Sequence, residues 1–411
     1  MKVLHVLYQS LPQISGSSIR SRDILMSQNE IGIEAFAITV PFLSNESQKK
    51  IEVIDNVRYY RSNVESSSKN EISDQYKSFF KRFKKVFKIN KFIFQLYKLS
   101  KFQKPDVLHA HAMFFCGISS VIVGKILKIP VFYEVRSLWM LPKDSLYKTF
   151  IHKLSTKLVL KIELFTMRLS KKVFVINENL KDQLIDLGIK KEKLVVIKNA
   201  VNTTLISKNL SKIKEGFVRD QITLGYIGSI TPYEGIPFML RALQIINNNE
   251  KKIKLIIYGS VREAKELEVI KEKIKEYSLD RYVEYKGSIN PSEVYKAYQE
   301  IDVIVNPRLK NKITDTVTPL KPLEAMAYKK IFIGSDVGGI KDLLSNCDHG
   351  FLFKSDKIES LIEVIDQVSK LSQEERKIIG ENARKFVINE KSWVRNAELY
   401  KKEYSKFLNL N

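Results

Sequence analysis

The amino-acid sequence predicts an α/β protein built from two Rossmann-like, doubly wound parallel-sheet domains. Three observations point there. Short, continuous apolar runs recur along the chain, amphipathic stretches of helical period separate them, and a polar stretch divides the runs into two series. Continuous apolar strands alternating with helices are the pattern of parallel sheets covered on both faces.

The first series is VLHVLY (3–8), AFAITV (35–40), DVLHA (106–110), PVFYEV (130–135), VFVI (173–176) and LVVI (194–197). The second is ITLGYIG (222–228), IKLIIYG (253–259), DVIVNP (302–307) and IFIGS (331–335). Pro237–Asn247 and Glu263–Tyr277 read as helices between strands of the second series. The expected division is an N-terminal domain over 1–201, a linker over 202–221, and a C-terminal domain over 222–389. A final helix of about 390–411 packs back on the N-terminal domain, with Trp393, Leu399, Tyr404 and Phe407 as its packing residues.

A chain of 411 residues suits two domains, each with a sizeable core. Lys and Arg number 69 against 46 Asp and Glu, a formal charge of +23 that implies an anionic partner. The two cysteines, Cys116 and Cys347, are far apart and suggest a reducing compartment. MKVLHVLYQSLP carries too short an apolar run for a secretion signal and reads as a first strand. No run of about 18 apolar residues occurs, so a cytoplasmic protein without a spanning helix is expected.

In open parallel sheets, ligands bind beyond the carboxyl ends of the strands, where helices begin. Four loops qualify. In QSLPQISGSSIRSRDIL, Gly16 lets backbone amides turn toward an oxygen-rich ligand before a helix from about Ile19; an ordinary exposed turn is the alternative. In DVLHAHAMFF, His109 and His111 stand two residues apart at a strand end. A metal would need a third ligand that no neighbouring residue supplies, so no metal is expected. His109 reads more as a structural histidine, and His111 as the one facing the ligand cleft. In FYEVRSLW, Glu134, Arg136 and Trp139 either cap a helix or face a cleft.

The fourth loop is NPRLKNKITDTVTPLKPLEAMA. Pro322 presets a first helical turn. The amides of Leu320, Lys321 and Leu323, the positive helix end and the Lys321 ammonium could then meet a diphosphate. The Glu324 carboxylate could accept both hydroxyls of a ribose.

PLKPLEAMAYKKIFIGSDVGG is close to KPLEAMA-x-G-x-P-V-x-x-S-D-x-G-G, a motif of the retaining GT-B glycosyltransferases. SGSSIRSRDIL, PDVLHAHA, YEVRSLW and GSITPYEGIPFMLRA support the likeness over nearly the full length. The chain resembles this large bacterial family, whose members build capsule, O-antigen and exopolysaccharide chains on lipid-linked intermediates from nucleotide sugars. The resemblance implies a GT-B fold, two Rossmann-like domains facing each other across a cleft that closes about the linker. It also implies a metal-independent transfer with retention, using protein cations and helix ends to stabilise the leaving diphosphate.

By position, Glu324 matches the glutamate that holds the ribose, and Gly16 the loop near the donor phosphates. His111 matches the histidine beside the transferred sugar, and Tyr258 and Gly259 the strand end beside the base. The acceptor would meet Arg136, Trp139 and His109. The chain departs from the family in three places. The first carboxylate of the motif falls on Thr316, with Asp315 one step away as the candidate for its role. The usual Gly-Arg…Lys-Gly cations are replaced by Gly228-Ser229…Glu234-Gly235. Arg308 and Lys321, with Lys312 behind them, are then the candidates to neutralise the diphosphate. The hinge motif reads Lys198-Asn199-Ala200.

The charge concentrates in residues 76–104, with ten basic residues, no acidic one, and Phe79, Phe80, Phe83, Phe87, Phe92 and Phe94 interleaved. Such a stretch suits the anionic inner membrane surface and a lipid-linked saccharide acceptor. Its rivals are a solvated helix face and a nucleic-acid groove. A nucleic-acid partner is not expected, because it leaves Glu324, the double glycine and the two strand series unexplained. The competing functions are a nucleotide-sugar epimerase or phosphorylase on the same fold, and a basic nucleic-acid-binding protein. UDP is the favoured nucleotide, on its frequency in the family.

Overall fold

The computed structural model describes residues 1–13, 15–41, 49–62, 79–137, 150–213, 222–249, 252–261, 263–311, 314–315, 319–344 and 348–408. Side chains of residues 79–87, 150–155 and 342 are outside the description. So are Trp139, Lys312, Thr316, Cys347 and residues 76–78 and 214–221. The chain divides into two compact units: Met1–Lys198 with Trp393–Asn411, and Asn199–Ser392.

The first unit runs β1 (Lys2–Leu7), α1 (Gly16–Glu30), β2 (Glu34–Thr39), β3 (Ile51–Ile54), β4 (Val57–Arg61), α2 (Phe79–Gln103), β5 (Val107–His111), α3 (Phe114–Leu127), β6 (Val131–Val135), α4 (Phe150–Leu169), β7 (Lys172–Val175), α5 (Glu178–Asp186) and β8 (Leu194–Val196). Its sheet has the order β3-β4-β2-β1-β5-β6-β7-β8, parallel except for β3. From β1 the chain steps outward to β2 and later returns to β5 on the other side, so the order reverses between β1 and β5. The buried runs of β1, β5 and β6 meet helices on both faces, which is why they read as continuously apolar.

The hairpin β3–β4 escaped the apolar-run reading because its residues alternate between exposed and buried. Asp55 and Asn56, at φ 50° and 60°, make its turn. Two such residues between alternating apolar ones are the sequence signal for it.

The second unit begins with α6 (Thr203–Leu210) inside the stretch expected to be linker. Asn202 caps it, its side chain accepting from the Leu205 amide, and Ile206 is buried, so it is a packed helix. It continues with β9 (Thr223–Ile227), α7 (Ile236–Asn248), β10 (Lys254–Tyr258), α8 (Ala264–Glu276), β11 (Val283–Gly287), α9 (Val294–Glu300), β12 (Val303–Asn306), α10 (Lys321–Ala327), β13 (Ile331–Ser335), α11 (Gly338–Leu344), β14 (Phe351–Phe353), α12 (Ile358–Ser369) and α13 (Gln373–Glu390). The sheet order is β11-β10-β9-β12-β13-β14, every pair parallel, with its reversal between β9 and β12.

The last helix, α14 (Trp393–Ser405), packs on α1 and completes the first unit. Trp393 and Tyr404 are buried as expected, but Leu399 is exposed, and Tyr400 holds the place in the core. Positions 393, 396, 397, 400 and 404 form the inward stripe, and Leu399 falls off it.

Candidate active site

The described residues singled out in the sequence lie at strand ends in the two units, at or next to the points of strand-order reversal. In the first unit, Ser15 caps α1 through a reciprocal capping box with Ser18. The helix therefore begins at Gly16, earlier than Ile19, and Gly16 is exposed with open space where a Cβ would stand.

β1 and β5 pair in register so that His5 lies opposite His109. His111 follows on the same face by the strand's period of two. His5 Nδ1 lies 2.8 Å from His111 Nε2, which supplies the third imidazole that sequence spacing could not locate. One ligand nitrogen of each of His5, His109 and His111 lies within 4.8 Å of the others. The bonding nevertheless does not fit a metal. The Arg136 guanidinium, which only donates, sits 2.6 Å from His111 Nδ1, so His111 carries its proton on Nε2. A bound metal needs that nitrogen bare.

His111 is not a cleft-facing group: it is 2 % exposed, with both nitrogens bonded. Burial pushes the pKa of all three imidazoles down, that of His5 to about 4.

Beside them lies Glu134, fully buried. Its Oε1 accepts from Arg20 Nε at 3.1 Å and Arg136 Nε at 2.9 Å, and its Oε2 from Tyr400 Oη at 2.6 Å. Burial alone would raise this carboxyl, but the guanidiniums of Arg20 and Arg136 outweigh it and hold the pKa well below the ordinary range. Arg20 also stacks on the Trp393 ring at 4.7 Å. Glu134 is thus neither a helix cap nor a cleft residue but the centre of a buried charge network. Arg136 commits its remaining N–H groups to the Ser17 carbonyl and hydroxyl, at 2.8 Å each, to Ser21 Oγ at 3.0 Å, and to His111. The fork expected to meet an acceptor is bonded inside the protein.

In the second unit the strand ends carry Ser229 after β9, Gly259 after β10, Arg308 after β12 and Gly338 after β13. Ser229 is exposed, and its carbonyl accepts from Tyr226 Oη at 2.9 Å. Tyr258 is 7 % exposed and donates to Glu300 Oε1 at 2.8 Å. Gly259 has no room for a side chain, since a Cβ there would stand 2.1 Å from the Gly228 carbonyl oxygen.

Glu324 lies in the first turn of α10 and accepts from Tyr298 Oη at 3.2 Å and from Lys321 Nζ. The first bond within that helix runs from the Glu324 amide to the Leu320 carbonyl, at 3.1 Å. The carboxylate and the ammonium thus share the helix start, as their spacing suggested.

Two expected roles change. Arg308 does not present a free fork: its Nε and Nη2 bond Glu234 at 3.1 and 2.7 Å, with both side chains nearly buried. Glu234 stands where the family motif has lysine, and the arginine from the neighbouring strand end matches its charge. Asp315 Oδ1 accepts from the Gly338 amide at 3.2 Å, which anchors the double-glycine turn. A Cβ on Gly338 would stand 2.0 Å from the Asp315 carbonyl oxygen, which is why this position takes glycine. Reading the strands without their pairing missed His5, Arg20, Gln28, Tyr400 and Tyr298, and the polar partnerships of Tyr404 and Glu234. For Arg20, Gln28, Tyr298, Tyr400 and Tyr404 the only sequence signal was polarity on packed helical faces.

Comparison with known proteins completes the picture. The family described as Glycosyltransferase Family 4 matches residues 56–205, and that described as Glycosyl transferases group 1 matches residues 207–386. A capsular polysaccharide biosynthesis glycosyltransferase of Staphylococcus aureus, CapM, is 24% identical over 292 residues, covering 66% of this chain and 70% of the relative. A glycosyltransferase from Rickettsia africae superposes with TM-score 0.73 at 20% identity, covering 100% of this chain and 99% of that one. Anabaena HepE in complex with UDP and glucose superposes with TM-score 0.71 at 14% identity, covering 99% and 100%. With two doubly wound sheets, each carrying its polar residues at the strand-order reversal, and a family match on each part, the chain belongs to the GT-B glycosyltransferases, with a family 4 N-terminal part and a group 1 C-terminal part.

Proposed function

We propose that the protein transfers a sugar, with retention, from a UDP-sugar to a lipid-linked saccharide acceptor during cell-surface polysaccharide synthesis. The observation that carries this reading is the Glu324 carboxylate, held by Tyr298 and Lys321 at the start of α10 beside the strand-order reversal. A carboxylate fixed in this way suits the paired hydroxyls of a ribose. UDP is favoured because HepE is similar in fold and was solved with UDP. A polysaccharide acceptor is favoured because CapM, a relative, is named for capsule biosynthesis.

Thermal unfolding with UDP, GDP, their sugar conjugates and a short RNA tests the donor class. Selective stabilisation by UDP and a UDP-sugar is expected. A salt-sensitive shift with RNA alone would replace the reading by a nucleic-acid-binding one. In the same assay Glu324→Ala should weaken UDP binding by about 1–3 kcal/mol, the scale of hydrogen bonds to a charged group. Unchanged affinity in the folded variant would remove the ribose role. The anomeric configuration of the product, read by NMR, tests retention.

The lipid link has its own support. α3 packs between α2 and α4. Phe94 and Phe102 of α2, Ile122 and Ile126 of α3, and Leu158 and Phe165 of α4 are exposed. Lys91, Lys98, Lys101, Lys125, Lys157, Lys161 and Arg168 are exposed on the same helices, and the one acidic residue of the three, Glu163, is buried. Apolar side chains among lysines suit the interface of an anionic bilayer. Each lysine near such a surface contributes about 1 kcal/mol. None of the described helices is long and apolar enough to cross a membrane. Vesicles with anionic headgroups should therefore bind the protein in low salt and release it in high salt. The triple variant Lys98→Glu, Lys101→Glu, Lys161→Glu should lose most of that binding while keeping its UDP affinity.

A further inference from the structure

The bonds around His5 form a chain whose direction follows from the groups at its Arg136 end. A guanidinium only donates and a carboxylate only accepts. Arg136 Nη2 donates to His111 Nδ1, so His111, being neutral, carries its proton on Nε2 and donates to His5 Nδ1. His5 then carries its proton on Nε2 and donates to Gln28 Oε1 at 2.9 Å. The Gln28 amide nitrogen donates to Tyr404 Oη at 3.3 Å, whose own proton points to His109 Nδ1 at 2.6 Å. His109 carries its proton on Nε2, which has no hydrogen-bond partner among the described residues and faces Glu134 Oε2 at 3.6 Å, so the chain of bonds ends there. Glu134 itself accepts from Arg136, where the chain begins.

Protonating His5 or His111 would put a donor against a donor. The groups facing the three rings include Glu134, Arg136, Arg20, Tyr400 and Tyr404, and burial disfavours charge on the imidazoles. The outermost member is Arg136, which bonds Ser17 in the first turn of α1, next to Gly16.

We propose that His5 and His111 are positioning residues of the transfer reaction: the one-directional chain from Arg136 through His111, His5, Gln28 and Tyr404 to His109 holds the Arg136 guanidinium and, through it, the first turn of α1. His111 acts through Arg136 and does not touch the sugar. The inference rests on the reading of the Gly16 turn as a substrate-facing element. It differs from that reading in what it asks of His111, which needs no contact with substrate.

The test uses the full chain with nitrogen-15-labelled histidine, whose five imidazoles make a spectrum simple enough to assign by substitution. In the protein without substrate, His111, His5 and His109 should each show the Nε2–H form and no titration between about pH 5 and 8, the range in which free imidazoles change charge. An Nδ1–H form of His111, or its ordinary titration, overturns this chain of bonds. This readout needs no substrate, so it stands apart from any failure to find the donor.

Turnover on the nucleotide sugar gives the second readout. His5→Leu and His111→Leu should each lower kcat/KM by about tenfold, and the double variant should be no worse than the worse single one, as for members of one unit. His5→Asn, whose amide can accept from His111, should recover most of the loss. Turnover abolished in His111→Leu but untouched in His5→Leu would make His111 a catalytic residue and overturn the proposal. If His5→Leu does not fold, the tautomer spectrum of the unsubstituted chain decides alone.

Discussion

Replacing Glu134 with alanine should destabilise the N-terminal unit by about 3–5 kcal/mol, the cost of breaking a buried ion pair by removing one partner. The carboxylate is fully buried and accepts from two guanidiniums and a tyrosine hydroxyl. Without it, Arg20 loses its carboxylate partner and keeps a long bond to the Ile197 carbonyl, at 3.4 Å, and its stacking on Trp393. Arg136 keeps its serine partners but loses the charge that balances it. Tyr400 is left with a buried hydroxyl. Urea unfolding read by tryptophan fluorescence should report the loss directly, because Trp393 lies in this network. Glu134→Gln keeps shape and one acceptor and should lose less. A loss under about 1 kcal/mol in the alanine variant would mean that water reaches the arginines, and the network would not be the closed one described.

Glu163 should show the opposite behaviour, with its replacement stabilising the protein at alkaline pH. This carboxyl is buried on α4, accepts from the Tyr133 hydroxyl, and leaves its Oε2 without a partner among the described residues. Burial pushes its pKa from 4.5 up to about 7, against the lowering by the bonds from Tyr133 and the Phe114 amide. A carboxyl with a raised folded pKa binds its proton more tightly folded than unfolded. Its contribution is therefore fully present below about pH 4.5 and is lost as the pH rises through about 7. A shift of this size corresponds to about 3 kcal/mol. Glu163→Gln, which can still accept from Tyr133, should raise the stability at pH 8 by most of that amount and change little at pH 4.5. Thermal melts at the two pH values decide it, and an equal effect at both would show that the carboxyl does not titrate in this window.

The architecture was largely legible because a strand buried on both faces announces itself as an unbroken apolar run, as in VLHVLY and IKLIIYG. The strands left out were those with an open face or edge, β3, β4, β11 and β14, whose residues alternate or are half-exposed. The Lys321–Glu324 pair was legible since both residues share one helical turn. Partnerships between strands were not. Nothing near His109 in sequence points to His5, over a hundred residues away, until β1 and β5 are paired in register. Arg308 and Glu234 look like independent charges until β9 and β12 become neighbours. Asp315 and the double glycine likewise meet only through the fold.

The first unit is written in two pieces, Met1–Lys198 and then Trp393–Asn411, with the whole of the second unit between them. This interruption sets a timetable for synthesis. When Lys198 leaves the ribosome, the sheet of the first unit can form, but Trp393, Tyr400 and Tyr404 do not yet exist. Until they emerge, Arg20 lacks its aromatic cover, Glu134 one of its donors, and His109 the hydroxyl that orients it. The second unit, encoded without interruption, can complete its core first. The nascent chain thus reverses the usual order in which the amino-terminal domain matures before the one that follows it. Its charged interior closes only with the final helix.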